Sequence, residues 1–376
     1  MELSGGEIQL FKGAYSGKRV LVTGHTGFKG SWLAIWLSSL GAEVAGFSSY
    51  LPSSPCNFSA TGLEKMIDHR WGDVREFPGL KAAFEDFRPE VVFHLAAQPI
   101  VRRSYADPKL TFDTNLGGTV NVLECVRSSG RVRAAVIVTS DKCYENTECV
   151  WGYRENDRLG GTDPYSASKA CAEIAASAYA RSFRPSGGAP RIATARAGNV
   201  VGGGDWAESR VIPDCVRAWS EGKEAVIRNP ASTRPWQHVL EPLSGYLWLG
   251  ADLLASDRLH GESFNFGPDQ KVNKPVSELI DIFTSHWGGP GWRRGGVENG
   301  KKESALLKLS CDKALHELGW RPVLSFEDTI RLTAEWYRRY YSGEKGMCAF
   351  SEEQISFYVS EAARAGLQWA REGVPA

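Results

Sequence analysis

The sequence lacks an excess of either charge: 44 lysines and arginines face 44 aspartates and glutamates. A chain without a global field has no long-range means of gathering nucleic acid or an acidic membrane surface, so anionic ligands must be bound locally. It lacks an apolar run of membrane-spanning length; the best candidate, 247–255, is short and contains Asp252. It begins without a charged-then-apolar leader pattern. Its eight cysteines include no CxxC pair, Cys143 and Cys149 being the closest two, and its seven histidines show no metal-ligand spacing. Internal repeats are absent. These absences lead us to expect a cytoplasmic protein with no disulfide framework, no metal, no nucleic-acid partner and no membrane contact.

What is present is alternation. Short apolar runs read as strands at 19–22, 43–47, 91–94, 134–138 and 191–196, and helical patterns fall at 31–40, 80–87, 110–127 and 165–182. Continuous apolar strands separated by helices imply an α/β fold, a doubly wound parallel sheet covered on both faces. Past Gly198 the rhythm breaks into Gly202–Gly204 and segments punctuated by Pro213, Pro230, Pro235, Pro242 and Pro268. Residues 289–302 read as an exposed loop, and 352–371 as a last helix packed on the body or on a partner. The expected division is a dinucleotide-binding domain over 1–198, with later segments interleaved, and a smaller mixed α/β lobe, mainly 199–376, for the substrate.

The loop Thr23-Gly-His-Thr-Gly-Phe-Lys-Gly30 joins the first strand to the first helix. Glycines 24, 27 and 30 permit a tight turn, close backbone approach and close helix packing, and the helix start offers free N–H groups to a pyrophosphate. Gly24, His25, Thr26, Gly27, Phe28, Lys29 and Gly30 are therefore candidate cofactor residues in a Rossmann-type site, with Lys29 a phosphate neutraliser or a solvated lysine. The end of the second strand, Gly46-Phe-Ser-Ser-Tyr50, has neither the acid that reads a ribose in NAD nor the arginine that accepts the extra phosphate of NADP. Ser48 stands there instead. Asp73, followed by Val74, is either an adenine ligand or a turn residue.

Tyr165 and Lys169 lie four apart at a helix start, hence on one face. A nearby ammonium favours the phenolate, which then accepts a hydroxyl proton while hydride leaves the same carbon. The strand ending at Thr139-Ser140 and the strand end His94-Leu-Ala-Ala-Gln98 complete the pattern. Here the chain resembles the extended short-chain dehydrogenase/reductase family. The blocks TGHTGFKGSWL, TSDKCYEN, WGYREND, RAGNVVGGGDW and RPWQHVLEPLSGY resemble its sugar-nucleotide 4,6-dehydratases, in the version with Asp141-Lys142 directly after the strand-end serine.

The resemblance implies NAD as cofactor and CDP-glucose, or a related nucleotide sugar, as substrate. It implies that Ser140 orients the sugar hydroxyl, Tyr165 is the base for C4 oxidation and Lys169 holds the nicotinamide ribose. Asp141 and Lys142 then share acid and base roles in removing water, in an order left open. It also places Leu95, Ala96, Ala97, Gln98 and Asn115 at the cofactor, His94 as packing beside it, and Gln98, Asn199, Arg210, Arg234 and His238 at the substrate. Arg228 is a further pyrophosphate candidate. His238 has a structural alternative, and Trp206 and Trp236 read as pyrimidine stackers or core. Relatives associate through their two long helices, here 110–127 and 165–182, which implies a homodimer or homotetramer. A sugar-nucleotide 4-epimerase is the alternative activity, since it needs the same tyrosine and cofactor.

Overall fold

The computed structural model describes residues 9–183, 189–269, 271–296 and 306–371. Seven parallel strands form one sheet: β1 Arg19–Thr23, β2 Glu43–Ser48, β3 Asp68–Trp71, β4 Val91–His94, β5 Ala134–Val138, β6 Arg191–Arg196 and β7 Ser263–Asn265. Their order is β7-β6-β5-β4-β1-β2-β3. In register, Val22 of β1 lies between Gly46 of β2 and Phe93 of β4. The chain leaves β1 toward one edge and returns to β4 on the other side, and a crevice opens at such a reversal, beyond the strands' carboxyl ends.

The strands are apolar throughout because both faces are covered. Val20, Val22, Phe93 and Val136 belong to one buried cluster, while Leu21, Val92, Ala135 and Ile137, their neighbours in sequence, belong to another. The main helices are α1 Phe28–Ser39, α2 Phe77–Phe87, α3 Gly118–Ser128, α4 Pro164–Ser182, α5 Val211–Ser220, α6 Leu240–Ala255, α7 Val276–Trp287, α8 Phe326–Tyr341 and α9 Met347–Arg364. Side chains of α1, α6 and α9 fill the first cluster; those of α2, α3 and α4 fill the second. A short helix, Pro108–Phe112, and a π turn, Asp113–Gly117, lead into α3.

Several expectations need correction. β3 and β7 were not expected: β3 is polar (DHRW) and β7 is three residues long, so neither carries an apolar run. The region past Gly198 is richly helical, not irregular, because α6 to α9 supply about a third of the larger core. Of the loop expected over 289–302, Trp292–Arg294 pairs in parallel with Ala225–Ile227, and 297–302 lie outside the described residues. The last long helix, α9, packs on the body against α1 and α8. Among the described residues no helix is long and apolar enough to cross a membrane.

Candidate active site

A single cavity of about 1320 Å³ lies over the carboxyl ends of β1, β4, β5 and β6. At one end is the glycine loop. Gly24 is left-handed at φ +77, and a Cβ there would meet the Ala96 amide nitrogen at 2.7 Å; at Gly30 it would meet the Gly24 carbonyl at 2.2 Å. The loop is thus pressed between the end of β4 and the start of α1. No side chain caps α1, and Thr26 to Gly30 line the cavity, so its first N–H groups are available to an anion. Ser48, Val74, Leu95, Ala96, Ala97 and Gln98 continue the wall. Asp73 also lies on it, but its carboxylate is taken by Arg75 at 2.6 Å, which holds it below the usual carboxylate range.

Two residues expected at the cofactor stand behind the wall. The His25 ring is turned into the body, bonded to His69 at 2.7 Å and to Ser48 at 3.0 Å, and burial pushes it down to about 3. Asn115 is buried and clamps the Gln98 backbone: its Oδ1 accepts from the Gln98 N–H at 2.8 Å, and its Nδ2 donates to the Gln98 carbonyl and to Ser168. Asn115 acts through Gln98 because a short polar side chain beside a backbone turn is drawn to its orphan groups, whereas His25 is held by the His69 and Ser48 side chains. Lys29 does reach the cavity, beside the Tyr246 hydroxyl at 3.4 Å. Burial lowers its pKa to about 8, opposed by Asp141 and aided by Arg210 and Lys169. His94 is buried between Thr23 at 2.7 Å and Thr119 at 3.0 Å; burial takes it to about 3, so it is a neutral spacer.

At the centre, β5 runs out into Thr139 and Ser140, and Asp141–Cys143 form a single 3₁₀ turn. The Ser140 hydroxyl donates to Asp141 Oδ1 at 2.9 Å and accepts the Lys142 N–H at 3.2 Å. The Asp141 carboxylate lies against Gly198, where a Cβ would come within 1.9 Å of Oδ2. Opposite, Asp163 caps α4 by accepting the Ser166 N–H at 3.0 Å, with Pro164 in the first turn, and this sets Tyr165 and Lys169 on the face toward the sheet. Lys169 donates to the Val138 carbonyl at 3.3 Å. Burial raises Tyr165 to about 12; a hydrogen bond with Ser140 lowers it, Asp141 raises it and Arg210 lowers it. Burial lowers Lys169 to about 8, opposed by Glu173 and Cys143. Ser140, Asp141, Lys142, Tyr165 and Lys169 all face the one cavity.

The far end carries three arginines among the carboxylates Asp205, Glu208 and Asp214. Asn199, Arg210, Arg228 and Arg234 line it, with Trp236 on the wall. Arg210 is held by Asp205 at 2.6 Å, which raises its pKa. Trp206 is instead core, packed edge-on against Trp336, Tyr337 and Tyr340. His238 is corrected as a substrate contact: it is fully buried off the wall, edge-on to Trp32, with Nδ1 accepting the Leu240 N–H at 3.4 Å. Its apolar neighbours leave it neutral, with burial lowering it to about 3. Arg102, Arg103 and Tyr105, not singled out in the sequence, also line the cavity. Their signal was a basic pair following closely on the strand end at Gln98.

A sequence model described as the NAD dependent epimerase/dehydratase family matches residues 20–267. The chain belongs to the NAD dependent epimerase/dehydratase family. NAD is its cofactor, and the glycine cradle and uncapped α1 fit a dinucleotide's pyrophosphate. Within this family the chain is 46% identical to a CDP-glucose 4,6-dehydratase of Salmonella typhimurium over 358 residues, 94% of this chain and 99% of that protein. Its fold is similar to an epimerase of Methanothermobacter thermautotrophicus, at TM-score 0.77 and 26% identity, covering 88% of this chain and 95% of that one. It is also similar to a dTDP-glucose 4,6-dehydratase of Streptomyces venezuelae solved with NAD and TYD bound, at TM-score 0.72 and 26% identity, covering 88% and 99%.

Proposed function

We propose that this chain is a CDP-glucose 4,6-dehydratase, a hydro-lyase that converts CDP-glucose to CDP-4-keto-6-deoxyglucose in deoxysugar biosynthesis. The observation that carries the reading is the Ser140–Asp141–Lys142 turn facing Tyr165 and Lys169 across one cavity. NAD, when bound, supplies a cationic hydride acceptor for C4 and the donor for C6. Tyr165, oriented by Ser140, takes the proton of the C4 hydroxyl; the Ser140 hydrogen bond and the Arg210 cation favour its phenolate. The C4 ketone acidifies the C5 hydrogen. Lys142 removes that proton, and Asp141 protonates the C6 hydroxyl as it departs as water, leaving a C5–C6 double bond. Hydride added at C6 makes the methyl group, and Lys142 returns its proton to C5. Redox change is nil overall. The Gly loop and the strand ends hold the cofactor, and Arg210, Arg234 and Asn199 hold the substrate pyrophosphate, so each step occurs within one bound assembly.

The same proposal makes the protein cytoplasmic, in keeping with eight free cysteines, and a homodimer or homotetramer through the faces of α3 and α4. Two measurements test it. CDP-glucose deuterated at C4 is expected to give a product labelled in its methyl group; label lost to solvent or still at C4 overturns the reaction. In a panel of CDP-, dTDP-, UDP- and GDP-glucose, turnover is expected to favour CDP-glucose at least ten-fold in kcat/KM; preference for another base overturns the substrate.

A further inference from the structure

Behind the catalytic turn lies a buried ion pair that the reaction above does not use. Glu173 sits on α4 one turn beyond Lys169 and two beyond Tyr165, so all three share a helix face. Its carboxylate is wholly enclosed. Oε1 accepts from the Thr139 hydroxyl; Oε2 accepts from Arg196 Nη2 at 2.7 Å, from Thr194 at 2.8 Å and from Ser263 at 3.2 Å. Arg196 in turn donates through Nη1 to the Tyr144 hydroxyl at 2.6 Å and to the Glu155 carbonyl at 3.0 Å, and its guanidinium lies over the Tyr144 ring at 4.9 Å. The Tyr144 hydroxyl donates to Asn265 at 2.8 Å. Both side chains of the pair are at most 3% exposed.

The connections are not distributed at random through the core. Thr139 immediately precedes Ser140, and Tyr144 immediately follows the Asp141–Cys143 turn, so both flanks of the catalytic turn are tied to one pair. The Val138 carbonyl, one residue earlier, receives the Lys169 ammonium. Strand end and helix are therefore pinned at successive residues, 138 by Lys169 and 139 by Glu173. A buried ion pair is expensive to form, and an apolar pair would fill the same space more cheaply. Its retention needs a reason besides stability.

We propose that Glu173, held by Arg196, is a positioning residue for the dehydration: it fixes the Tyr165–Lys169 face of α4 against the turn carrying Ser140, Asp141 and Lys142, and gives the buried Lys169 ammonium its counter-charge. Burial raises the Glu173 pKa, but Arg196, Thr139 and Thr194 outweigh it, and the group stays ionised below the ordinary carboxylate range. Glu173 is also the largest influence opposing the loss of the Lys169 proton. The other titratable groups around Lys169 are Cys143 on the turn, Tyr165 on its own helix, His94 at the end of β4 and Lys29 from α1. None of the first three carries charge at neutral pH, and Lys29 adds repulsion, which leaves Glu173 as its close anionic neighbour.

The inference rests on the dehydratase reading, and the experiment separates the two. CDP-glucose turnover by the NAD-loaded protein is followed from pH 6 to 10 for wild type, Glu173→Gln, Arg196→Gln and the double variant Glu173→Gln/Arg196→Gln. If wild type makes no product, the dehydratase reading falls. If wild type turns over, Glu173→Gln is expected to lose at least about ten-fold in kcat, with KM for CDP-glucose changed less than three-fold, and to shift the alkaline limb down by about one pH unit. The double variant removes the guanidinium that Glu173→Gln alone would strand, so its melting temperature is expected to recover toward wild type, while Lys169 still lacks its counter-charge and the low alkaline limb persists. Recovery of limb and kcat together with stability would make the pair structural only and overturn the proposal. An unchanged limb in both variants would do the same.

Discussion

At the scale of single residues, the chemistry was more legible than the contacts. Tyr165, Lys169 and Asp141-Lys142 were readable because their spacing relative to a strand end and a helix start is itself the signal. Lys142→Ala is expected to lower product formation by about 10²–10⁴-fold, the usual contribution of a general base, with CDP-glucose binding retained by calorimetry. Lys169 makes a second, thermodynamic prediction. Its pKa is about 8 in the fold against 10.5 in the free side chain. Between those values the unfolded chain holds more protons, so stability rises with pH across that window and is penalised in full below it. Lys169→Met is expected to abolish turnover yet stabilise the cofactor-free protein at pH 7 by up to about 3 kcal/mol. The gain should fade as pH rises from 8 to 10.5, as read by denaturant unfolding at several pH values. His238 and His25 were misplaced because a histidine's motif position does not reveal which way its ring turns; Trp32 and His69 decide that.

At the scale of elements, β4, β5 and β6 were readable to the residue, since each is a run with both faces buried. β3 and β7 were not, because an edge strand recruited by its neighbour's backbone needs no apolar pattern of its own. The junction past β6 carries a prediction of this kind. Asp141 and Gly198 belong to loops leaving adjacent strands, and they touch because position 198 has no side chain. Gly198→Ala is expected to displace the Asp141 carboxylate. kcat should fall by at least about 10²-fold, within the range for a lost acid, with NAD binding and the melting temperature little changed. Normal turnover in that variant would remove Asp141 from the mechanism. Glu173 shows the limit of reading an element from sequence: its place one turn past Lys169 on α4 was visible, but its partner Arg196 lies on a different element, the strand β6.

At the scale of the whole molecule, reversal of strand order between β1 and β4 places the crevice, and segments far apart in sequence close it. The loop carrying Asp205 and Arg210 is held from below by α8. Tyr337 donates to the Asp205 carbonyl, and Trp336 packs where any side chain at Gly203 would stand, its Nε1 bonded to Ser351 at 3.0 Å. Trp336→Ala is expected to cost about 3–5 kcal/mol of stability. It should also raise KM for CDP-glucose more than it lowers kcat, because Arg210 loses its footing while Tyr165 does not. Equal loss in both parameters would argue for general loosening. None of this support could be read from the sequence, which shows aromatic residues near 336 without showing what rests on them.

The outer face of α1 joins the cofactor loop to this late-arriving material. Trp36 stacks edge-on against Tyr358 and Trp369, and Phe11 lies flat on Trp369. During synthesis, the roughly 320 residues that separate Trp36 from Tyr358 take about 15–65 s to leave the ribosome at 5–20 residues per second. Throughout that interval Trp36 is without the rings that cover it in the finished fold, so this face of the nucleotide-binding unit closes only after α9 has been made.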